Sequence, residues 1–124
     1  MPRTILVVED EPPLRKLVTT ILTRAGFTVL EADNVTTALE IARRDDLELD
    51  LVVTDVTMPS GNGIALVRQL VVERPALRCV VMSGHDEHVL SSVVEPELDA
   101  RFIQKPFTPT EFLTSVHETL GMST

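Results

Sequence analysis

Aromatic side chains are scarce in this chain: there is no Trp, no Tyr and only four Phe. Neither a stacking platform for bases nor an aromatic sugar site can be assembled from so few. Cysteine is almost missing as well. The single Cys79 excludes an internal disulfide and any cysteine-based zinc site, and it points to a reducing, cytoplasmic compartment. Long apolar runs are absent. The longest span four residues, such as Ile5 to Val8, against the roughly 20 that a bilayer-crossing helix needs. No signal-peptide pattern opens the chain, so a soluble domain without membrane insertion is expected. Cations are in the minority, with 11 Lys plus Arg against 19 Asp plus Glu and a formal net charge of -8. That balance disfavours direct nucleic-acid binding and attraction to anionic lipid.

What is present is apolar content sufficient for a core. The 124 residues are 44% hydrophobic, which fits one domain over residues 1–124 that hides roughly two-thirds of its unfolded surface. Ile5-Leu6-Val7-Val8 reads as a central strand that stops at Glu9-Asp10-Glu11. A helix follows, with Pro12 and Pro13 in its first turn, an apolar stripe through Leu14, Leu17, Val18, Ile21 and Leu22, and Gly26 as its stop. The alternation then repeats. Phe27 to Leu30 reads as strand, a helix starts near Asn34, and Leu51 to Thr54 is the third strand. Turn residues fill Pro59-Ser60-Gly61-Asn62-Gly63 ahead of a helix bearing Ile64, Val67, Leu70 and Val71. Cys79 to Met82 is a strand, a weaker helix lies between Asp86 and Val94, and Arg101 to Ile103 is the fifth strand. Thr108-Pro109-Thr110-Glu111 has capping-box spacing and opens the last helix.

Five strands alternating with five helices predict an α/β, doubly wound (βα)5 flavodoxin-like fold. Its five-stranded parallel sheet has the order 2-1-3-4-5 with helices on both faces. In that topology ligands bind beyond the carboxyl ends of strands 1 and 3, where the winding reverses. Glu9 and Asp10 end the first strand, Asp55 the third, Ser83 the fourth, and Lys105 follows the fifth. Carboxylates that converge repel one another unless a cation compensates them, and an all-oxygen cluster suits Mg²⁺, with Mn²⁺ as a substitute. A Lys and a hydroxyl across the same pocket are what a bound phosphoryl group needs.

Taken together, Ile5-Leu6-Val7-Val8-Glu9-Asp10-Glu11, Asp55-Val56-Thr57-Met58-Pro59 with Gly63, Met82-Ser83-Gly84 and Lys105-Pro106-Phe107 resemble the response-regulator receiver domains of the CheY-like family. The resemblance runs from about Thr4 to Leu120. It implies a two-component receiver in which Asp55 takes a phosphoryl group from a phosphohistidine on a histidine kinase or histidine phosphotransfer protein. It further implies that Asp10, Asp55 and the backbone carbonyl of Thr57 bind Mg²⁺ directly and that Glu9 acts through water. Lys105, before a cis proline, would pair with the phosphoryl group, Ser83 would hydrogen-bond it, and Phe102 would be the aromatic switch that follows. Thr57 and His85 would flank the attacking water and tune the lifetime of the phosphorylated state. The domain would be no turnover enzyme beyond self-phosphorylation and autodephosphorylation. Its fourth helix, fifth strand and fifth helix would form the output surface, open to dimerisation. The Met82-Ser83-Gly84 and Phe102-to-Pro109 stretches are similar to receivers attached to hybrid sensor histidine kinases.

The chain departs from the family pattern at Glu9, where Asp is commoner, and at Gly61, where a hydrophobic residue is usual and a more mobile loop is implied. Plainer readings exist for each piece. Glu9-Asp10-Glu11 could cap a helix, Ser83-Gly84 could be a turn and Phe102 could be ordinary core. Other functional classes fit the residues worse. A phosphatase of the haloacid-dehalogenase type needs an acid-base Asp two residues after its nucleophile, where this chain has Thr57. A flavodoxin-type FMN carrier needs hydroxyls and N–H groups after the first strand, where Glu9-Asp10-Glu11 would repel the phosphate.

Overall fold

The computed structural model describes residues 3–58, 61–84 and 100–122. Along the chain run β1 (Thr4–Val8), α1 (Pro12–Arg24), β2 (Thr28–Ala32), α2 (Val35–Ala42), β3 (Leu51–Asp55), β4 (Thr57–Met58), β5 (Gly61–Asn62), α3 (Gly63–Glu73), β6 (Arg78–Ser83), β7 (Ala100–Gln104) and α4 (Pro109–Thr119). The weaker helix expected between Asp86 and Val94 lies outside the described residues. Five strands form one sheet in the order β2-β1-β3-β6-β7, and all its pairings are parallel. This is the expected 2-1-3-4-5 order, with β4 and β5 set aside as a separate antiparallel pair.

Alternation along each inner strand divides the core in two. Leu6 and Val8 of β1, Val52 of β3, and Cys79 and Val81 of β6 join Ala38, Ala42, Val67 and Leu70 of α2 and α3. Ile5 and Val7, Leu51 and Val53, and Val80 and Met82 face the other way, onto Val18, Ile21 and Leu22 of α1 and Phe112 and Val116 of α4. Both faces of the inner strands are therefore covered, which is why they read as continuous apolar runs and not as alternating ones. Cys79 is fully buried in the first of these clusters.

Local signals set the helix ends. Thr108 and Glu111 form the reciprocal capping box of α4, and Asn34 accepts the Thr37 N–H at 2.8 Å at the start of α2. Gly26, at φ 96°, closes α1: its N–H reaches Thr23 O and the Phe27 N–H reaches Leu22 O, each at 3.1 Å. This paired pattern is a Schellman motif. It explains why β2 starts one residue later than expected: Phe27 is spent on the helix stop and buries its ring in the second cluster. β2 then continues to Ala32. No helix among the described residues is long and apolar enough to cross a membrane.

At the amino end of the sheet the Arg74 guanidinium donates to three main-chain carbonyls, Ala42 at 2.7 Å, Leu47 at 3.0 Å and Arg44 at 2.9 Å. One side chain thus ties the 43–50 connection to α3. Arg74→Ala should lower stability by about 1–3 kcal/mol, because the two partly buried carbonyls lose their partners. Urea denaturation checks this, and an unchanged midpoint would show that water replaces the guanidinium at no cost.

Candidate functional site

The carboxyl ends of β1, β3 and β6 meet at one edge of the sheet, and the acidic and basic residues singled out above gather there. Glu9 continues β1 by one rung, its N–H donating to Ala32 O at 3.0 Å. Asp55 closes β3 opposite Met82, which places Ser83 one residue beyond it. The connection after β7 returns to the same edge, where the Lys105 N–H donates to Ser83 O at 2.7 Å. The Lys105-Pro106 bond is cis, as expected.

Lys105 Nζ lies 2.8 Å from Asp55 Oδ2, an ion pair between residues 50 apart in the chain. Carboxylate oxygens of Glu9, Asp10 and Asp55 lie within 4.8 Å of one another. Glu9 is fully buried. One of its oxygens accepts the Glu11 N–H at 3.2 Å, while Oε2 is buried without a hydrogen-bond partner. Burial, reinforced by the neighbouring Asp55 charge, pushes the Glu9 carboxyl from 4.5 up to about 7, and the Glu11 N–H and the Lys105 charge only partly oppose this. An orphaned buried oxygen within an all-oxygen donor set fits a hard divalent cation, so these three residues could hold Mg²⁺. A plain capping role for the acidic run is not what the structure displays: Glu11 is the N-cap of α1 and makes no side-chain cap hydrogen bond.

Two features of the strand end escaped the reading of the sequence. Thr54, fully buried, donates its hydroxyl to the Asp55 carbonyl at 3.0 Å. Gly63 packs so tightly on that carbonyl that a Cβ would sit 1.9 Å from Asp55 O, while its N–H donates to Val56 O at 2.7 Å. Gly63 belongs to the quoted motif, yet nothing in sequence says that the reason is close backbone approach. Gly61 pairs with Met58 across β4 and β5, at φ 151°, with Val35 Cγ2 3.1 Å from where a Cβ would stand.

Ser83 is buried at the end of β6. Phe102 on β7 is partly buried and packs against the first core cluster, opposite Val81. Thr57 takes part in the backbone pairing of β4 with β5. His85 lies outside the described residues.

The fold is that of a receiver. Residues 5–117 match the model of the response regulator receiver domain, and the chain belongs to that family. It is 35% identical over 117 residues to the sensor kinase CckA of Brucella abortus, covering 94% of this chain and 12% of that protein. It is 31% identical over 121 residues to the chemotaxis protein CheY of Thermotoga maritima, covering 95% and 98%. Among solved structures it is similar to the Thermotoga maritima response regulator TrrA in complex with Mg²⁺ and BeF, with a TM-score of 0.80, 25% identity and coverage of 94% and 98%. The chain spans about an eighth of the first of these relatives and nearly all of the other two. It is a phosphoryl-accepting receiver of two-component signal transduction.

The position of Glu9 has a consequence for pH. In the metal-free protein the folded state keeps a proton on Glu9 that the unfolded chain has released between pH 4.5 and about 7. The stability this group contributes is therefore fully present below pH 4.5 and is lost as pH rises through 7. Glu9→Gln should flatten that slope and make the metal-free protein more stable than the parent at pH 8, by up to about 3 kcal/mol. Chemical denaturation in EDTA at several pH values measures it, and parallel profiles for parent and variant would contradict the assignment.

Proposed function

We propose that Asp55 is the phosphoryl acceptor and that Glu9, Asp10, Lys105 and Ser83 serve its chemistry. The observation that carries this reading is the joining of the three carboxylates with Lys105 at one strand edge. The donor is a phosphohistidine on a histidine kinase or histidine phosphotransfer protein. An Asp55 carboxylate oxygen attacks phosphorus in line, a P–O bond forms, the P–N bond breaks and the imidazole nitrogen keeps the electron pair. Asp10, Asp55 and the Thr57 carbonyl, with Glu9 in support through water, would hold Mg²⁺, or Mn²⁺ in its place, and the ion would supply neutralisation of charge on the phosphoryl oxygens.

Lys105 exchanges its contact with Asp55 Oδ2 for a phosphoryl oxygen, and Ser83 donates its hydroxyl to another. These better contacts favour one of two pre-existing conformations, and Phe102 turns inward with it. The surface that reads the change comprises β7 and α4, together with the fourth helix expected from sequence, and the same surface can pair two copies. Water attacking phosphorus returns Asp55 to its free form, a step that the resemblance in sequence assigns Thr57 and His85 to tune. The domain is a self-resetting switch and not a turnover enzyme.

Incubation with acetyl phosphate and Mg²⁺ should add one phosphoryl group that alkali removes, as read by mass spectrometry. Asp55→Asn should take up none. Labelling of that variant at the parent's rate would overturn the assignment.

Mg²⁺ should also raise the melting temperature, by the equivalent of about 1.4 kcal/mol at ten times its dissociation constant. In Asp10→Asn the increment should shrink by more than half. Equal increments in the two proteins would remove Asp10 from the site.

A further inference from the structure

Arg15 lies in the first turns of α1, with 22% of its side chain exposed. Its guanidinium acts in two directions. Nη1 donates to the main-chain carbonyl of Glu9 at 2.9 Å, and Nε pairs with Glu31 Oε1 at 3.3 Å. Glu31 stands on β2 opposite Val7 of β1, beside Ala32, whose carbonyl receives the Glu9 N–H. Both main-chain groups of Glu9 are therefore anchored to β2, one directly and the other through Arg15.

The carbonyl that Arg15 holds belongs to the peptide joining Glu9 to Asp10. A peptide unit is rigid and planar, so a bond to its oxygen fixes the plane from which both neighbouring side chains depart. Those side chains are two of the three mutually repelling carboxylates. Without the bond, repulsion between Asp55 and the Glu9-Asp10 pair would be relieved by rotating this peptide, since it begins where the β1 ladder ends.

We propose that Arg15 is a positioning residue for the acidic cluster: its two-pronged guanidinium holds the Glu9-Asp10 peptide so that both carboxylates stay gathered with Asp55. The inference rests on the reading that the cluster takes up Mg²⁺. It also makes a prediction of sign. A guanidinium near a cation site repels the cation, so if charge were its only effect, removing it would tighten Mg²⁺ binding. If it holds the peptide, removing it weakens binding, by about tenfold, the lower end of the range for supporting hydrogen bonds around metal ligands.

The test is a Mg²⁺ titration of the metal-free chain followed by amide chemical shifts in ¹H–¹⁵N NMR spectra, which also report whether each variant is folded. Arg15→Ala should bind Mg²⁺ about tenfold more weakly than the parent. Arg15→Lys keeps the charge but offers one donor head in place of the fork, and should fall between the two. If Arg15→Ala does not fold, Arg15→Lys decides: binding equal to the parent's sinks the proposal. An affinity for Arg15→Ala within twofold of the parent's would make Arg15 a scaffold residue only, and tighter binding would make it a repulsive charge only. Either result overturns this inference and leaves the metal reading standing. A parent whose spectrum does not respond to Mg²⁺ would overturn both.

Discussion

Confining like charges at the edge of an apolar sheet is the constraint on which the rest of the site depends. Three carboxylates face one ammonium group, and the one most deeply placed, Glu9, has no exposed surface. In water such charges would be screened by solvent. Here they are held at close range by the β-ladder behind them, where desolvation and repulsion add. The molecule offsets part of this with Lys105 on Asp55 and part by favouring a proton on Glu9. In the proposed reading both arrangements are exchangeable: the lysine moves to an incoming anion, and the proton gives way to a metal ion. A site that is incompletely compensated in this way responds to small charged ligands because their binding completes it.

That electrostatic load requires a stiff support, and the backbone around Asp55 supplies it. The Asp55 carbonyl is met by the Thr54 hydroxyl and by the bare Cα of Gly63. The next residue is bonded on both sides, through Val56 N–H to Met82 O at 3.0 Å and Val56 O to the Gly63 N–H at 2.7 Å. Directly afterwards Asn62 caps α3 by accepting the Ile64 N–H at 2.7 Å. Strand end and helix start are thereby tied together, and Asp55 is presented from a backbone bonded on both sides.

Much of this was legible in the sequence, and the division between legible and hidden follows interaction range. The capping box at Thr108 and Glu111 and the cap at Asn34 involve residues three apart, so their spacing alone announces them. Sheet order followed from the alternation of strand and helix patterns, because parallel strands need crossovers of one hand. Glu9, Asp10, Asp55 and Lys105 gather at one edge because each ends or follows a strand. Arg15 and Arg74 were not visible as anything special. An arginine on an amphipathic helix reads as solvated surface, and its carbonyl partners are fixed only by tertiary packing. The two-residue strands β4 and β5 are too short to leave any period, and Phe27 reads as strand by composition although it completes a helix stop.

The two ends of the sheet have divided their labour. At the carboxyl end polar groups are left partly uncompensated, as at Glu9 Oε2. At the amino end the Arg74 guanidinium saturates its carbonyls and Arg43 grips Glu73 through two bonds, at 2.8 and 2.9 Å. The contacts of Arg74 and Arg43 lie at the other end of the sheet from the acidic cluster, so substitutions there act on stability with little effect on that cluster, whereas at the carboxyl end site charge and stability are linked through Glu9. Thermal stability is therefore adjustable at the amino end with the charge balance of the carboxyl end unchanged.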